Sequence, residues 1–499
     1  MECKNFEIKT NNQFINDLLE LEKLTNFSKN LKHILVYHPS MEYLASKIIK
    51  NYEVFNLPVI WDRFEDSTPN IRFLPLIKNK NITFLLNCLD LNIMIDQLIL
   101  LQSLLNEGVK NCNIFIPYYA VATMERSDNP GVVPSANCLA KIISGFITGK
   151  VEIYLFDVHS IVERYYFNDK VILNYVTGLD LLFKRISFNS FPSYEKSKID
   201  CVCFPDDGAY KRFYSFFPSS VPMIICKKIR KGDERLIDVS NILNTKRTEF
   251  NSILIVDDII RTGNTLIECA KVIKEKFKCP LYIYTTHSLL NESTVCKFTN
   301  ELFTKIFITN STHPSIKYPE HFEILCINEL IGNSLGFKKR NTNIKEIFVG
   351  SSNIRKLYGT YLFYFSMCEN FKIKYNFVES SNNQLMSKKS IELNIIKRIE
   401  CSKHIDADIK IFFQNGIENS HDVCMCKIFT NNHTLSGLSD IFINPELYEM
   451  YISEVDTNDK TLGKYVEEKY GYQEDDWYYI LDSSPRWFMI YQSLKNAYE

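Results

Sequence analysis

Residues Ile253–Thr265 read ILIVDDIIRTGNT, in which four apolar residues lead directly into two acids and then into a short polar turn. Neighbouring carboxylates at a strand end, here Asp257 and Asp258, can accept hydrogen bonds from two vicinal hydroxyls of a sugar. The turn, Arg261–Thr265, would present successive backbone N–H groups and two hydroxyls at a helix start, an arrangement that binds phosphate. The alternative is a buried strand followed by an ordinary capped helix. A cap needs neither both acids nor the whole turn, so the sequence favours a sugar-phosphate site.

A short apolar run, a polar turn and an amphipathic helix recur in both directions from this stretch. Towards the N-terminus the pattern predicts strands at Ile34–Tyr37, Ile82–Leu86, Asn113–Pro117 and Glu152–Phe156. A second set is predicted at Asp200–Phe204, Met223–Cys226, Ser252–Val256, Leu281–Thr285 and Lys305–Thr309. Strands that alternate with helices indicate right-handed βαβ units and mostly parallel sheets. Because ligands of such sheets bind at the carboxyl ends of the strands, the loops that follow the strands are the places to look for chemistry.

The rhythm of strands and helices also predicts how the chain is divided. We expect an α/β protein with two tandem parallel-sheet domains and a C-terminal α/β domain. The predicted boundaries are an N-terminal arm at residues 1–31, a first domain at 32–178, a second at 179–335 and a C-terminal domain at 345–499. The basic, polar joint Gly336–Asn343 is the predicted linker.

Composition excludes several classes of protein. The 499 residues are 45% apolar and 23% charged, which is typical of globular rather than disordered or fibrous chains. A net charge of −1 argues against a dedicated nucleic-acid or membrane-surface binder. Fifteen cysteines scattered through a long chain, with no apolar signal segment at the start, predict a reduced protein of the cytoplasm. The pairs Cys201-Val202-Cys203 and Cys424-Met425-Cys426 lack the two-residue gap of common zinc motifs, so no zinc site is predicted.

Residues 253–265 resemble the diphosphoribose signature of the phosphoribosyltransferase superfamily. Other loops add to the resemblance, and these are Ile60–Asn70 (IWDRFEDSTPN), Ile116–Asp128 (IPYYAVATMERSD), Phe156–Ser160 (FDVHS), Phe204–Arg212 (FPDDGAYKR) and Cys226–Arg235 (CKKIRKGDER). In this order, over residues 32–335, they are similar to ribose-phosphate diphosphokinases, and most of all to the plant-type second class. The resemblance implies that both sheet domains are phosphoribosyltransferase-like.

The resemblance also implies roles for individual residues. Ribose 5-phosphate would bind to Asp257, Asp258, Arg261, Thr262, Gly263, Asn264 and Thr265. ATP would contact Phe64, Asp66, Glu125 and Arg126. His159 and Asp206 would bind the metal, Mg²⁺, and Lys228 and Arg230 would form a catalytic basic pair on a mobile loop. Two cations there would offset charge that builds on the transferred group.

The implied reaction transfers the diphosphoryl group of ATP to the anomeric hydroxyl of ribose 5-phosphate, which makes the chain a transferase. The alternative is a non-catalytic regulatory subunit that assembles with active homologues. Such a subunit should have lost the basic pair, the histidine or the double acid, and this chain keeps all of them. A true phosphoribosyltransferase is a third possibility, and it would need a hood that recognises a base. The expected partners are ATP and ribose 5-phosphate in a homo-oligomer, without nucleic acid or membrane.

The C-terminal part carries a weaker signal. Phe348–Lys356 reads FVGSSNIRK, and together with Val378–Ser380, Phe413–Ile417 and Ser483–Ala497 it resembles the inosine/xanthosine triphosphatase family. Gln414 stands where that family has an acid. Because Mg²⁺ prefers carboxylates, this loss predicts a degraded domain used for packing, assembly or nucleotide sensing. A structural domain unrelated to that family is the alternative.

Overall fold

The computed structural model describes residues 4–6, 10–25, 27–125, 130–160, 164–188, 197–231, 234–312, 316–340, 345–367, 371–376, 385–402, 405, 407–419, 421–430, 433–442, 449, 451, 453–454, 462, 465, 468–469 and 486–498. These residues form two compact units, one spanning Lys32–Arg340 and the other combining Met1–Leu31 with Asn341–Glu499. The chain begins in the second of these units with strand β1 (Lys4–Phe6) and helix α1 (Asn12–Thr25). The predicted N-terminal arm is therefore part of the unit that contains the C-terminal domain.

The first sheet of the Lys32–Arg340 unit is entirely parallel, with strand order β3-β2-β6-β7-β8-β9. Its strands are β2 (His33–Tyr37), β3 (Phe55–Asn56), β6 (Asn81–Leu85), β7 (Asn111–Ile116), β8 (Val151–Phe156) and β9 (Val171–Val176). Its main helices are α2 (Glu42–Asn51), α3 (Leu91–Asn106) and α4 (Ser135–Gly145). A separate antiparallel hairpin is formed by β4 (Val59–Arg63) and β5 (Pro69–Phe73). The four strands predicted in this region are confirmed.

The second sheet of this unit has the order β14-β13-β12-β15-β16-β17-β18 and is parallel except for the antiparallel pair β13–β14. The chain reaches it through α5 (Leu179–Phe183), β10 (Ile186–Phe188) and β11 (Ser197–Ile199). Its strands are β12 (Cys201–Phe204), β13 (Met223–Lys231), β14 (Glu234–Leu243), β15 (Ile253–Ile260), β16 (Leu281–Ser288), β17 (Lys305–Thr309) and β18 (Phe322–Leu325). Its helices are α6 (Asp207–Phe213), α7 (Asn264–Phe277), α8 (Glu292–Val295) and α9 (Asn328–Ser334).

Apolar patterning explains the positions of these elements. All four residues of Ile253–Val256 are fully buried, as a central parallel strand covered on both faces requires. Helix α7 buries Leu266, Cys269, Ala270 and Ile273, which follow the spacing of one helix face. One hydrophobic core contains side chains from both sheets, including Phe156 from β8 and Tyr284 from β16. The two sheets therefore pack into one unit, and the boundary predicted between residues 178 and 179 stays a prediction.

Two of the predicted boundaries within the second sheet need correction. Strand β15 continues through Asp257 and Asp258 to Ile260, so the two acids lie in the second half of the strand rather than after it. The segment predicted as a mobile loop around Lys228 and Arg230 is strand in the described backbone, because β13 continues to Lys231 and pairs with β14. The basic segment is thus a β-ribbon.

The unit of residues 1–31 and 341–499 contains a third, mixed sheet with the order β1-β20-β19-β21-β22-β23. Its later strands are β19 (Lys345–Val349), β20 (Phe371–Tyr375), β21 (Ile409–Glu418), β22 (His421–Thr430) and β23 (Thr434–Phe442). Helices α10 (Ile354–Ser366), α11 (Lys388–Cys401) and α12 (Arg486–Tyr498) belong to the same unit. These three sheets confirm the predicted α/β class. Across the described part of the chain, none of the helices combines the length and the apolar character that crossing a bilayer demands.

Candidate active site

A cavity of about 640 Å³ lies where β12 and β15 end. The residues that line it include His159, Asp206, Asp257, Asp258 and the turn Arg261–Thr265. The sequence placed these residues in three separate loops. Asp206, Asp257 and Asp258 come together because the neighbouring parallel strands β12 and β15 have their carboxyl ends at one edge of the second sheet. His159 reaches the cavity from the loop after β8 of the first sheet. Arg212 and Lys227 line the same cavity.

Asp258 is the centre of a charged network. It is 3% exposed; one of its carboxylate oxygens lies 2.7 Å from His159 Nδ1 and the other 2.6 Å from Arg212 Nη1. Burial by itself would raise the pKa of Asp258, but the hydrogen bond with His159 and the charge of Arg212 hold it well below its ordinary value. Asp258 is therefore a buried anion with two cationic or polar partners.

Arg212 fixes His159 as well as Asp258. Its Nε donates to the His159 backbone carbonyl at 3.0 Å, and its Nη2 lies 3.1 Å from His159 Nδ1. With Nδ1 in this network, the other ring nitrogen of His159 is the one left for a ligand. The sequence prediction did not assign Arg212 a role, although it stands in the quoted FPDDGAYKR stretch. Its position six residues after Asp206, on the helix that Asp206 caps, was the available signal.

Besides Asp258, the acids that line the cavity are Asp206, Asp207 and Asp257. Asp206 caps α6, because its Oδ1 accepts a hydrogen bond from the Ala209 backbone N–H at 3.0 Å. Burial raises the pKa of Asp257 well above its ordinary value, and the negative charges of Asp258 and Asp206 raise it further. Carboxylates that repel one another in a cavity are suited to a hard divalent cation, which would neutralise them. These residues and His159 therefore fit the predicted magnesium.

The turn after β15 is built around Gly263. This glycine has a φ of +76°, and a Cβ at its position would lie 2.3 Å from the Phe298 ring, so both the backbone conformation and the close packing require glycine. The turn leads directly into α7, where the first backbone N–H groups lack helical partners. Residues 261–265 therefore have the geometry of an anion-binding helix start that opens into the cavity.

Loops of the first sheet contact the end of the second sheet where the cavity lies, and the sequence did not predict these contacts. Arg261 Nη2 donates to the hydroxyl of Thr123, in the loop after β7, at 3.1 Å. Asp157, which directly follows β8, has a φ of +39° and accepts a hydrogen bond from the Thr286 hydroxyl of β16 at 2.6 Å. These contacts join the loops of the first sheet to the site end of the second sheet.

The predicted ATP contacts are not among the described residues that line this cavity. Phe64 and Asp66 occupy the turn between β4 and β5, where Phe64 is 55% exposed. Asp66 Oδ1 accepts hydrogen bonds from the backbone N–H and the hydroxyl of Thr68, which lower the pKa of Asp66. Glu125 follows a short 3₁₀ turn, and its backbone carbonyl accepts a hydrogen bond from Tyr166. Arg126 lies outside the described residues.

The predicted catalytic pair is described only in its backbone. Lys228 pairs with Ile237, and Arg230 pairs with Arg235, in the β13–β14 ribbon. Their side chains lie outside the described part of the structure. The preceding residue, Lys227, lines the cavity, which brings the start of the ribbon to the site.

Comparison with known proteins finds relatives that share one enzyme name. No family model matches it. Ribose-phosphate pyrophosphokinase 3, chloroplastic, of Oryza sativa subsp. japonica is 29% identical over 334 residues, or 64% of this chain and 79% of the relative. The mitochondrial pyrophosphokinase 3 of Spinacia oleracea is 30% identical over 330 residues, covering 63% and 78%. Ribose-phosphate pyrophosphokinase 4 of Arabidopsis thaliana is 30% identical over 316 residues, covering 60% and 91%.

The chain belongs to the ribose-phosphate pyrophosphokinase family. The resemblance predicted from the loops is confirmed for the family and for its plant members. A crystal structure of phosphoribosylpyrophosphate synthetase from Mycobacterium smegmatis aligns with a TM-score of 0.49 and 16% identity, over 61% of this chain and 98% of that one. The names of the plant relatives include chloroplastic and mitochondrial forms, and the cytoplasmic location of this chain stays a prediction.

Proposed function

We propose that this chain transfers the diphosphoryl group of ATP to the anomeric hydroxyl of ribose 5-phosphate and releases AMP. One observation carries the proposal: the double acid, the glycine turn, Asp206 and His159 line one cavity. Each of these features suits one part of a sugar phosphate, a divalent cation or a phosphate chain. Their convergence is what a phosphoryl transfer between two bound substrates requires, because positioning and charge stabilisation do most of the work in such reactions.

Ribose 5-phosphate would bind along the end of β15. Its phosphate would accept hydrogen bonds from the backbone N–H groups of Thr262–Thr265, at the start of α7. Its vicinal hydroxyls would donate to Asp257 and Asp258. Because the two oxygens of Asp258 already lie within ion-pair distance of His159 and Arg212, Asp258 would contribute mainly as a fixed negative charge, and Asp257 would be the main acceptor.

Magnesium would bind between Asp206, Asp257 and the free ring nitrogen of His159. A bound Mg²⁺ supplies charge neutralisation for the phosphates of ATP. The chain's own contribution is to hold His159 in a fixed orientation through Asp258 and Arg212. Lys228 and Arg230 would place positive charge beside the transferred group from the β13–β14 ribbon. Phe64 and Asp66 would hold the adenine, with Phe64 stacking on it and Asp66 accepting a hydrogen bond.

The test is a coupled assay for AMP on the full chain with ATP. We expect AMP release that requires both ribose 5-phosphate and Mg²⁺. No AMP from folded protein under these conditions would overturn the proposal. Turnover that appears only when an active homologue is added, and exceeds the turnover of that homologue alone, would instead support the regulatory-subunit alternative.

We also propose that the active form is a homo-oligomer. Size-exclusion chromatography with light scattering tests this directly. A fully active monomer would contradict it.

For residues 345–499 we propose a degraded triphosphatase-like domain. Two features support a phosphate-site ancestry: the turn Gly350–Asn353 runs from β19 into α10, and the Asn353 side chain accepts hydrogen bonds from the first backbone N–H groups of that helix. Gln414 supports the loss of hydrolysis, because its side chain is a neutral amide at a position that would need a carboxylate for Mg²⁺. We expect no pyrophosphate release from inosine triphosphate, and release that Lys356→Ala abolishes would contradict this.

A further inference from the structure

Three cysteines from different parts of the sequence meet in the hydrophobic core of the second sheet. Cys203 lies on β12, Cys226 on β13 and Cys269 on α7. Their sulfur atoms form a nearly equilateral triangle, with Sγ–Sγ distances of 3.8 Å between Cys203 and Cys226, 3.9 Å between Cys203 and Cys269 and 3.7 Å between Cys226 and Cys269. All three side chains are fully buried. The reaction proposed above uses none of them.

The size of the triangle matches metal coordination. The centre of a triangle with these sides lies about 2.2 Å from each sulfur, close to a zinc–thiolate bond of about 2.3 Å. Thiolates are ligands for soft cations and are poor ligands for the hard Mg²⁺ of the neighbouring cavity. Among the described residues, these are the three that come together with metal-ligand spacing.

A charged thiolate alone in an apolar core would be costly, because all three sulfurs are buried away from water. A cation bound to all three sulfur atoms would offset that cost.

We propose that Cys203, Cys226 and Cys269 form a three-thiolate site for a thiophilic d¹⁰ cation, zinc(II) or copper(I). The cation forms three metal–sulfur bonds, and the thiol protons it displaces leave to solvent, without any change of oxidation state. The site would join the three elements that border the cavity. Asp206 follows Cys203 by three residues, Lys227 directly follows Cys226, and Thr265 precedes Cys269 by four. A bound cation should therefore stabilise the end of the sheet where the turn and the acids lie.

The decisive measurement uses the unmodified chain. The full-length protein is stripped with a thiophilic chelator under reducing conditions, reloaded in separate arms with zinc(II) or copper(I), desalted and analysed for metal and by X-ray absorption at the metal edge. We expect one equivalent retained in at least one arm, with three sulfur neighbours at about 2.2–2.3 Å. No retained metal in either arm, or a shell of oxygen and nitrogen atoms, would overturn the proposal. Neither readout depends on catalysis, so the result is independent of the proposed reaction.

Substitutions locate the site within the chain. Cys203→Ala, Cys226→Ala and Cys269→Ala should each lower retained metal at least tenfold and abolish the rise in unfolding temperature on loading. The matched control is Cys201→Ala, because Cys201 is on the same strand and is equally buried, but its sulfur is outside the triangle. Loss of metal in Cys201→Ala to the same extent would contradict the assignment. If the three variants fail to fold, the sulfur shell measured on the unmodified chain still decides.

Discussion

The loops at the cavity of the second sheet and the separate β4–β5 hairpin were both recognised from sequence motifs, but they differ physically. In the cavity Asp258 is buried and forms ion pairs with His159 and Arg212. At the hairpin Phe64 is more than half exposed. The proposed ribose side is thus organised before any ligand binds, whereas the proposed adenine side presents free apolar surface. Substitution of Asp258 should therefore change both stability and activity, and substitutions at the hairpin tip should change binding alone.

Asp258→Ala should have the largest effect on stability. Its removal leaves the guanidinium of Arg212, which is 15% exposed, without its buried carboxylate. Breaking a buried pair in this way costs about 3–5 kcal/mol, so the free energy of unfolding should fall by that amount in denaturant titration and activity should be lost.

Asp257→Ala is the matched comparison for that variant. Asp257 is repelled by the charges of Asp258 and Asp206, so its removal relieves strain and should cost less than about 1 kcal/mol of stability while still abolishing activity. Equal destabilisation by the two variants would show that Asp258 is not a preorganised anion.

Lys228→Ala should have the largest effect on turnover alone. Loss of one preorganised charge beside the transferred group should lower kcat by about 10²–10³-fold. Lysine side chains are rarely fully buried and contribute little packing, so the unfolding midpoint should move little. The control is Lys246→Ala, because Lys246 is exposed in the loop between β14 and β15. This variant should leave kcat unchanged. Normal turnover in the Lys228 variant would mean that the basic pair is misassigned.

The pH dependence of stability tests whether His287, on β16, is buried as the structure shows. Burial lowers the pKa of His287 to about 4, against the ordinary value of 6.5, although the negative charge of Asp258 acts in the opposite direction. Its ring contacts the Tyr118 ring, the Ser311 hydroxyl and the Asp157 carbonyl, and the charge of Arg212 also opposes protonation.

Between pH 6.5 and 4 the unfolded chain takes up a proton at this histidine and the folded chain does not. The free energy of unfolding should therefore fall as the pH falls across this window, by about 3 kcal/mol in total from His287. His287→Gln should flatten that part of the stability profile, while His433→Gln, at an exposed position, should not. Superimposable profiles for all three proteins would argue against the burial of His287.

Phe64→Ala should have the smallest effect of these variants, and this effect should be confined to KM for ATP. Loss of base stacking costs about 1–3 kcal/mol, so KM for ATP should rise at least about fivefold with KM for ribose 5-phosphate unchanged. Because Phe64 is exposed, the free energy of unfolding should change by less than about 0.5 kcal/mol. Leu91→Ala, at another exposed apolar position, should leave both KM values unchanged. A rise in KM for ribose 5-phosphate would instead indicate that this hairpin binds ribose 5-phosphate.

The sequence predicted the strands and the loops that follow them because both depend on local patterns. Apolar runs such as Ile253–Val256 identify buried strands, and the rule that ligands bind at carboxyl strand ends brings Asp206 and Asp257 to one edge without coordinates. The course of the Lys228 segment was not predictable in this way, because its strand is stabilised by antiparallel pairing with β14 and overrides a composition typical of a loop.

Contacts between distant residues were also beyond the sequence. The bond of Arg261 with Thr123 joins positions 138 residues apart. The cysteine triangle draws on positions 203, 226 and 269, whose spacing matches no metal motif. Sequence spacing reveals a site only when its ligands share one element or one turn. The Arg261–Thr123 bond and the cysteine triangle each join residues from different elements.

A crystal structure of the chain with ribose 5-phosphate and Mg²⁺ would show whether a sugar phosphate binds on the turn after the two acids. We expect the phosphate within about 3 Å of the backbone nitrogens of Thr262–Thr265, with Asp257 on the ribose hydroxyls. Ribose 5-phosphate bound at saturation elsewhere in the chain, with that turn empty, would contradict it.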